Sequence, residues 1–311
     1  LKNSSRGSCD MRIPVVCGPT ASGKTAFAVE LARRFGGEVV SADCMLVYKG
    51  LNIGTAKPTI EEMCGVPHHM IDIVSPREKF SVADYERLAY PLVTRLYTEG
   101  KLPVVCGGTG FYIRSLLFER GNGGVGADAD VRRKYEQFAG ERGNAALHAL
   151  LAERDPESAA KLHPNDVKRV VRALEIFELT GKKKSEQNDA DEERFPYAAL
   201  AFDSPRAELY ARIEMRVDAM IGGGLVEEVE TLLTRGVDEN CQSMQGIGYK
   251  EVVSYLKNQI SRSTMCDIIK QNTRNYAKRQ VTFFKKLPNI VWLDPHDADS
   301  FGKAEKLIWE E

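Results

Sequence analysis

Short apolar runs, each followed by a polar or glycine-rich break, recur through roughly the first third of the chain. Ile13-Pro14-Val15-Val16-Cys17 reads as a buried strand, and Ala26 to Ala32 as an amphipathic helix. Glu38 to Asp43 is a second strand, ending on a carboxylate, and Met70 to Val74 is a third. Leu102 to Cys106 is a fourth, and it runs into Gly107-Gly108-Thr109-Gly110. Before it, Ser81-Val82-Ala83-Asp84 has the form of a capped helix start, followed by an apolar face of Tyr85, Leu88, Leu92 and Leu96. Repeated βα units predict a parallel sheet covered on both faces, with ligands at the carboxyl ends of its strands.

The break after the first strand is the most specific segment. Gly18-Pro19-Thr20-Ala21-Ser22-Gly23-Lys24-Thr25 fits G-x-x-x-x-G-K-[ST] at every fixed position, between a strand and a helix. Glycines let successive backbone N–H groups face one concavity, and the helix N-terminus adds partial positive charge. Lys24 then holds phosphate oxygens, and the Thr25 hydroxyl reaches a magnesium ion. The same signature carries nucleotide binding, ATP included, as an expectation.

Beyond Gly121 to Gly126, a glycine-rich break, every segment from Asp128 to about Gly181 reads as helical. The best defined helix starts at Asn165 as N-cap and stops at Gly181, with Val167, Val170, Val171, Leu174 and Phe177 on one face. Lys182 to Arg194 reads as a charged, mobile linker, Tyr197 to Phe202 returns to strand, and Ile290 to Leu293 is a last strand. The expected fold is α/β: a P-loop NTPase-like parallel sheet with a helical insertion domain and C-terminal helices. Its expected divisions are a disordered leader at 1–11, a first part of the core at 12–125, the insertion at 126–194, and a completion of the core with C-terminal helices at 195–311.

Asp43, at a strand end beside the phosphate loop, is either a Mg²⁺ ligand or a general base, or else a turn residue. The Gly-Gly-Thr end of the fourth strand lacks the acid that a hydrolytic P-loop ATPase places there, which argues against a motor or switch. Lys168, Arg169 and Arg172 lie opposite the apolar face of the Asn165 helix, and Lys182-Lys183-Lys184 add charge at the linker. Arg274, Lys278 and Lys285 form a stripe on a long helix from about Ser263, with Arg279 beside it. The formal net charge is −1, so any polyanion must be held by such local patches. His68-His69 lacks a third ligand for a metal, and Gln245-Gly246-Ile247-Gly248-Tyr249-Lys250 reads as a backbone turn near a ligand. Seven scattered cysteines without a C-x-x-C pair argue for a reducing cytoplasm. No apolar run is long enough to span a membrane.

Taken together, GPTASGKT at 18–25, SADCMLVYKGLNIGTAKP at 41–58, GGTGFY at 107–112, HPNDVKRVVRALEI at 163–176, QGIGYKE at 245–251 and KRQVTFF at 278–284 make the chain resemble the tRNA dimethylallyltransferase (tRNA isopentenyltransferase) family. PHHMID at 67–72, FSVADY at 80–85, RVDAM at 216–220 and GLVEEV at 224–229 extend the likeness over nearly all of residues 13–293. The resemblance implies transfer of a dimethylallyl group from dimethylallyl diphosphate to N6 of the tRNA adenosine next to the anticodon on its 3′ side, with release of pyrophosphate. It implies an insertion that grips the anticodon arm, Asp43 as general base, and Thr109 holding the reacting end. It implies a diphosphate site of Gly18, Pro19, Thr20, Ala21, Ser22, Gly23, Lys24, Thr25 and Arg216, with Mg²⁺ on Thr25. It also implies RNA contacts from Asp43, Cys44, Met45, Leu46, Thr109, Arg132, Lys168, Arg169, Arg172, Gln245, Gly246, Gly248, Tyr249, Lys250, Lys278, Arg279, Gln280 and Lys285. The chain departs from the family pattern at Cys44, usually serine, at Leu46, commonly glutamine, and at Phe111, usually leucine. A cytoplasmic monomer without an obligate protein partner is the expected state. A small-molecule kinase on a similar core, or an RNA-binding module with a vestigial loop, are the alternatives.

Overall fold

The structure, a computed structural model, describes residues 11–119, 126, 128–186 and 192–309. Residues 1–10 of the expected leader, 121–125 of the glycine-rich break and 187–191 of the expected linker lie outside the described residues. The chain divides into two compact units, one made of residues up to Leu117 and from Phe195 onward, the other Phe118–Arg194.

In chain order, β1 (Ile13–Cys17) leads into α1 (Lys24–Phe35) and β2 (Glu38–Ser41). Then come α2 (Ile60–Met63), β3 (His68–His69), α3 (Val82–Thr98), β4 (Pro103–Gly107) and α4 (Gly110–Leu117). The second unit holds β5 (Phe118–Glu119), α5 (Ala129–Arg142), α6 (Asn144–Arg154), α7 (Pro156–Lys161), α8 (Val167–Thr180) and β6 (Glu192–Glu193). The chain re-enters the first unit with β7 (Tyr197–Phe202), α9 (Arg206–Gly222), α10 (Leu225–Thr234), α11 (Tyr249–Leu256), α12 (Arg262–Phe284), β8 (Ile290–Leu293) and α13 (Ser300–Trp309).

Six strands form one sheet in the order β3-β2-β4-β1-β7-β8, with every pairing parallel. Such a sheet needs cover on both faces, which explains why β1, β4 and β7 are buried at every position. On one face Phe27 of α1 stacks on Phe301 of α13 at 4.4 Å and meets Phe202 edge-on at 5.0 Å. Elsewhere in the unit α3 and α4 pack together through a Tyr85–Tyr112 stack at 4.1 Å. Register aligns the strand ends: Cys17 faces both Gly107 and Ala201, and Ser41 faces Cys106. The phosphate loop, Asp43 and Thr109 therefore leave the sheet at one edge.

Four local expectations change. The third strand is His68–His69 instead of Met70 to Val74, because Met70 and Asp72 turn to φ 61° and 54° and break the extended run. Val74 keeps only a single bridge, to Tyr48. The capping box of Ser81 and Asp84 forms, but the buried face is Tyr85, Ala89, Val93 and Leu96, and Leu88 is 38% exposed. The Asn165 helix is capped one residue later, at Asp166, without a side-chain bond, and begins at Val167. The expected linker contains a strand: Glu192–Glu193 pairs antiparallel with Phe118–Glu119.

Candidate active site

The phosphate loop is shaped by backbone conformations that its sequence permits. Gly18 sits at φ 127° and Gly23 at φ 89°, where a side chain would be strained; Ala21 adopts φ 62° as well. Gly23 caps α1 without a side-chain bond, so the first-turn amides of a twelve-residue helix face outward. Ser22 is buried, and its hydroxyl has no partner among the described residues. Lys24 Nζ donates to the Pro19 carbonyl at 3.2 Å, folding back over the loop. Burial holds the Lys24 ammonium below its ordinary pKa; Cys106 and Asp43 oppose that shift, and Arg216 adds to it. Arg216, on α9, reaches the Thr20 hydroxyl at 3.5 Å, and burial lowers its pKa too.

Across the same edge, Asp43 follows β2, and its Oδ1 accepts from the Met45 N–H at 2.9 Å. Thr109 Oγ1 accepts from the Cys44 N–H at 2.9 Å, and the Thr109 N–H donates to the Ala42 carbonyl at 3.0 Å. The approach is close because Gly107 has no side chain: a Cβ there would lie 2.1 Å from the Ala42 oxygen. Tyr276 of α12 was missed in the sequence. Burial first, then the charge of Asp43, pushes its hydroxyl pKa up, and the Thr109 side chain opposes that shift. Asp43 thus acts electrostatically on Lys24 on one side and on Tyr276 on the other.

The segment after Asp43 is held by a residue that the sequence reading left without a role. Glu228 of α10 accepts from the N–H groups of Asn52, Ile53 and Gly54 at 2.9, 2.8 and 3.2 Å, and from the Tyr249 hydroxyl at 2.7 Å. Lys57 Nζ donates to the Tyr48 carbonyl at 3.0 Å and to Asp72 at 2.5 Å. Gly246 closes on Met45, where an added Cβ would lie 2.4 Å from the Met45 methyl. The Leu46 carbonyl accepts from the Asp72 N–H.

Three residues expected to touch RNA are interior. Tyr249 is fully buried and bonded to Glu228, and Gln280 is 5% exposed with both ends of its carboxamide bonded within the protein. Gly248 is buried as well. Arg132 and Arg172 are turned toward Glu175, whose side chain has no exposure, at 2.9 and 2.6 Å; the Asp128 N–H joins the same carboxylate at 2.7 Å. A glutamate on the buried face of α8 is what draws them. Lys168, Arg169, Gln245, Lys250, Lys278, Arg279 and Lys285 are exposed. Arg274 is paired with Glu214 at 2.6 Å. A cavity of about 590 Å³ opens beside Pro19, walled by Phe202, Tyr210, Lys278, Lys285 and Trp292.

His69 Nε2 lies 2.6 Å from Glu38, with Lys101 at 2.8 Å on the same carboxylate. No trio of His, Cys, Asp or Glu is arranged to hold a metal among the described residues, and no helix among them is long and apolar enough to cross a membrane. Thr25 is a hard oxygen donor in the first turn of α1. A single hydroxyl suits Mg²⁺, which takes one or two protein oxygens and fills its shell with water and phosphate.

The family model for IPP transferases matches residues 46–287. A tRNA dimethylallyltransferase from Halalkalibacterium halodurans is 46% identical over 299 residues, covering 95% of both chains. One from Acetivibrio thermocellus is 45% identical over 297 residues, covering 94% of both. The solved tRNA isopentenylpyrophosphate transferase of Bacillus halodurans gives a TM-score of 0.71 at 43% identity, over 96% of this chain and 94% of that one. A eukaryotic dimethylallyltransferase acting on tRNA gives 0.81 at 30% identity, over 94% of this chain and 77% of that one.

Proposed function

The chain belongs to the IPP transferase family, and from that premise we propose how its sheet edge transfers a dimethylallyl group from dimethylallyl diphosphate to an adenosine of tRNA. The acceptor is the exocyclic N6 of the base on the 3′ side of the anticodon. The core is read as P-loop NTPase-like, with its loop turned to a prenyl diphosphate. The nitrogen lone pair attacks the allylic C1, and the C1–O bond breaks with its electron pair going to pyrophosphate. The N6 proton goes to the Asp43 carboxylate.

Each group then has a physical task. The adenine amine is a weak nucleophile because its lone pair is delocalised, so a carboxylate that takes its proton lowers the barrier. The outward amides at the start of α1, Lys24 and Arg216 meet negative charge that grows as pyrophosphate leaves, and so they bind the transition state more strongly than the ground state. Thr25 would hold Mg²⁺, which neutralises charge on the departing diphosphate when bound. Thr109 and Tyr276 orient the acceptor side. The target base must be unstacked to reach Asp43, and a single-stranded loop gives it up at lower cost than a duplex. Exposed Lys168, Arg169, Gln245, Lys250, Lys278, Arg279 and Lys285 are the candidates for holding the RNA.

The observation that carries this reading is that the phosphate loop, Asp43 and Thr109 leave adjacent parallel strands at the same end, with Thr109 bonded to the N–H next to Asp43. The test is incubation with labelled dimethylallyl diphosphate, Mg²⁺ and unmodified tRNA, followed by nucleoside analysis. Asp43→Asn keeps an oxygen for the Met45 N–H and removes the base; turnover should fall roughly 10²- to 10⁴-fold with tRNA binding preserved. Parental turnover in that variant would remove Asp43 from the mechanism. Phosphate transfer from ATP without prenylation would instead favour a kinase.

A further inference from the structure

Gln280 has a position that the reaction as described does not yet use. It stands in the buried stripe of α12 with Met265, Ile269, Ala277 and Phe284, where helical periodicity calls for hydrocarbon. A buried carboxamide is tolerated when both its ends are bonded. Here Oε1 accepts from the Thr20 N–H at 2.9 Å, and Nε2 donates to the Gly108 carbonyl at 2.9 Å. The space is closed around it: a Cβ on Gly108 would lie 2.2 Å from Gln280 Nε2.

The two partners serve different substrates. Thr20 belongs to the phosphate loop, next to Ala21 in its left-handed conformation, and its hydroxyl meets Arg216. Gly108 precedes Thr109, which is tied to Ala42 and Cys44 beside Asp43. We propose that Gln280 is a positioning residue, its carboxamide setting the offset between the prenyl-donor loop and the acceptor-side turn. The proposal rests on the functional reading above. Tyr276, whose hydroxyl lies in the field of Asp43, stands one turn earlier on the same helix.

In-line attack needs the reacting atoms held about 3–3.5 Å apart, and a misplacement of about 1 Å lowers the rate on the order of 100-fold. Losing the brace should therefore reduce kcat while each substrate still binds. The test uses Gln280→Ala, Gly108→Ala and the double variant, with kcat per folded molecule, dissociation constants for tRNA and dimethylallyl diphosphate, and unfolding midpoints. Gly108→Ala displaces the carboxamide without altering residue 280, so it reads the same bond if Gln280→Ala folds poorly.

Each single variant should lower kcat by roughly 10- to 100-fold with tRNA affinity within about twofold of the parent. The double variant should fall only about threefold below the weaker single, because both changes break one connection. Losses that multiply would overturn the proposal, as would parental kcat per folded molecule. A drop in tRNA affinity at unchanged kcat would make Gln280 an RNA contact and overturn it equally. If the parent protein itself transfers no prenyl group, the functional reading fails; an active parent with parent-like variants sinks the brace alone.

Discussion

Replacing Glu228 with alanine should loosen the segment that follows Asp43, and the size of the effect can be worked from its four bonds. The Asn52 N–H is exposed, so water replaces the carboxylate there at little cost. The Ile53 and Gly54 N–H groups are half-buried, and each lost bond is worth about 1 kcal/mol. The Tyr249 hydroxyl is buried and would lose its acceptor, a penalty of roughly 1–3 kcal/mol. No relaxation brings a new partner easily, since Gly54 already lies so close to the Tyr249 ring that a Cβ would come within 2.6 Å. The sum is roughly 3–5 kcal/mol, a large share of the about 5–15 kcal/mol typical of a folded domain. Urea unfolding measures it, with Tyr249→Phe as companion: that change alone should cost about 1 kcal/mol and, in the Glu228→Ala background, close to nothing. A loss under about 1 kcal/mol for Glu228→Ala at an unchanged m-value would refute the reasoning.

Three further outcomes follow from the site and from the second unit. Burial keeps the Lys24 pKa low in the free protein, and a bound diphosphate raises it again. Between those two values the free lysine is neutral and the bound one charged, so diphosphate binding should take up a proton in that interval and none well below it; calorimetry in two buffers of different ionisation enthalpy, repeated across pH, reads this. Glu175→Ala removes the carboxylate shared by Arg132 and Arg172, which are 41% and 29% exposed at the side chain. It should therefore destabilise the second unit by roughly 1–3 kcal/mol, less than a fully buried pair, as hydrogen exchange across α5 and α8 would show. Removing Lys278 and Arg279 together should flatten the log–log salt dependence of tRNA binding by about 1.4 if both neutralise phosphates on a single strand. An unchanged slope would make that stripe an ordinary solvated face.

The strands and the phosphate loop were legible because each is a local pattern: five apolar residues, then a glycine signature, then helix. Met70 to Val74 misled because hydropathy does not register the left-handed turns at Met70 and Asp72, the second of which is tied to Lys57. The helix face at Leu88 shifted because Ala89 was not counted as core, although a small residue is what lets α3 come close to its neighbours. The charged residues were the least legible. Arg132, Arg172 and Gln280 look alike in sequence to residues that hold RNA, and only the placement of Glu175, Thr20 and Gly108 shows what they bind. A clue for Gln280 was available, since it interrupts an apolar stripe with a polar residue. No such clue marks Glu228, whose three backbone partners lie more than 170 positions away.

The thiols at this edge bear on which atom is alkylated. Cys44 adjoins Asp43, and Cys106 lies next to Lys24, so on the proposed reading both flank the allylic electrophile, to which sulfur would ordinarily be the keener nucleophile than an aromatic amine. Burial pushes each thiol up to about 11, with the charge of Asp43 adding to both. At neutral pH only about one in ten thousand of either is then a thiolate, the form that reacts. The dry packing that closes the sheet edge thereby confers chemoselectivity: it silences the competing sulfurs and leaves carbon–nitrogen bond formation as the open course.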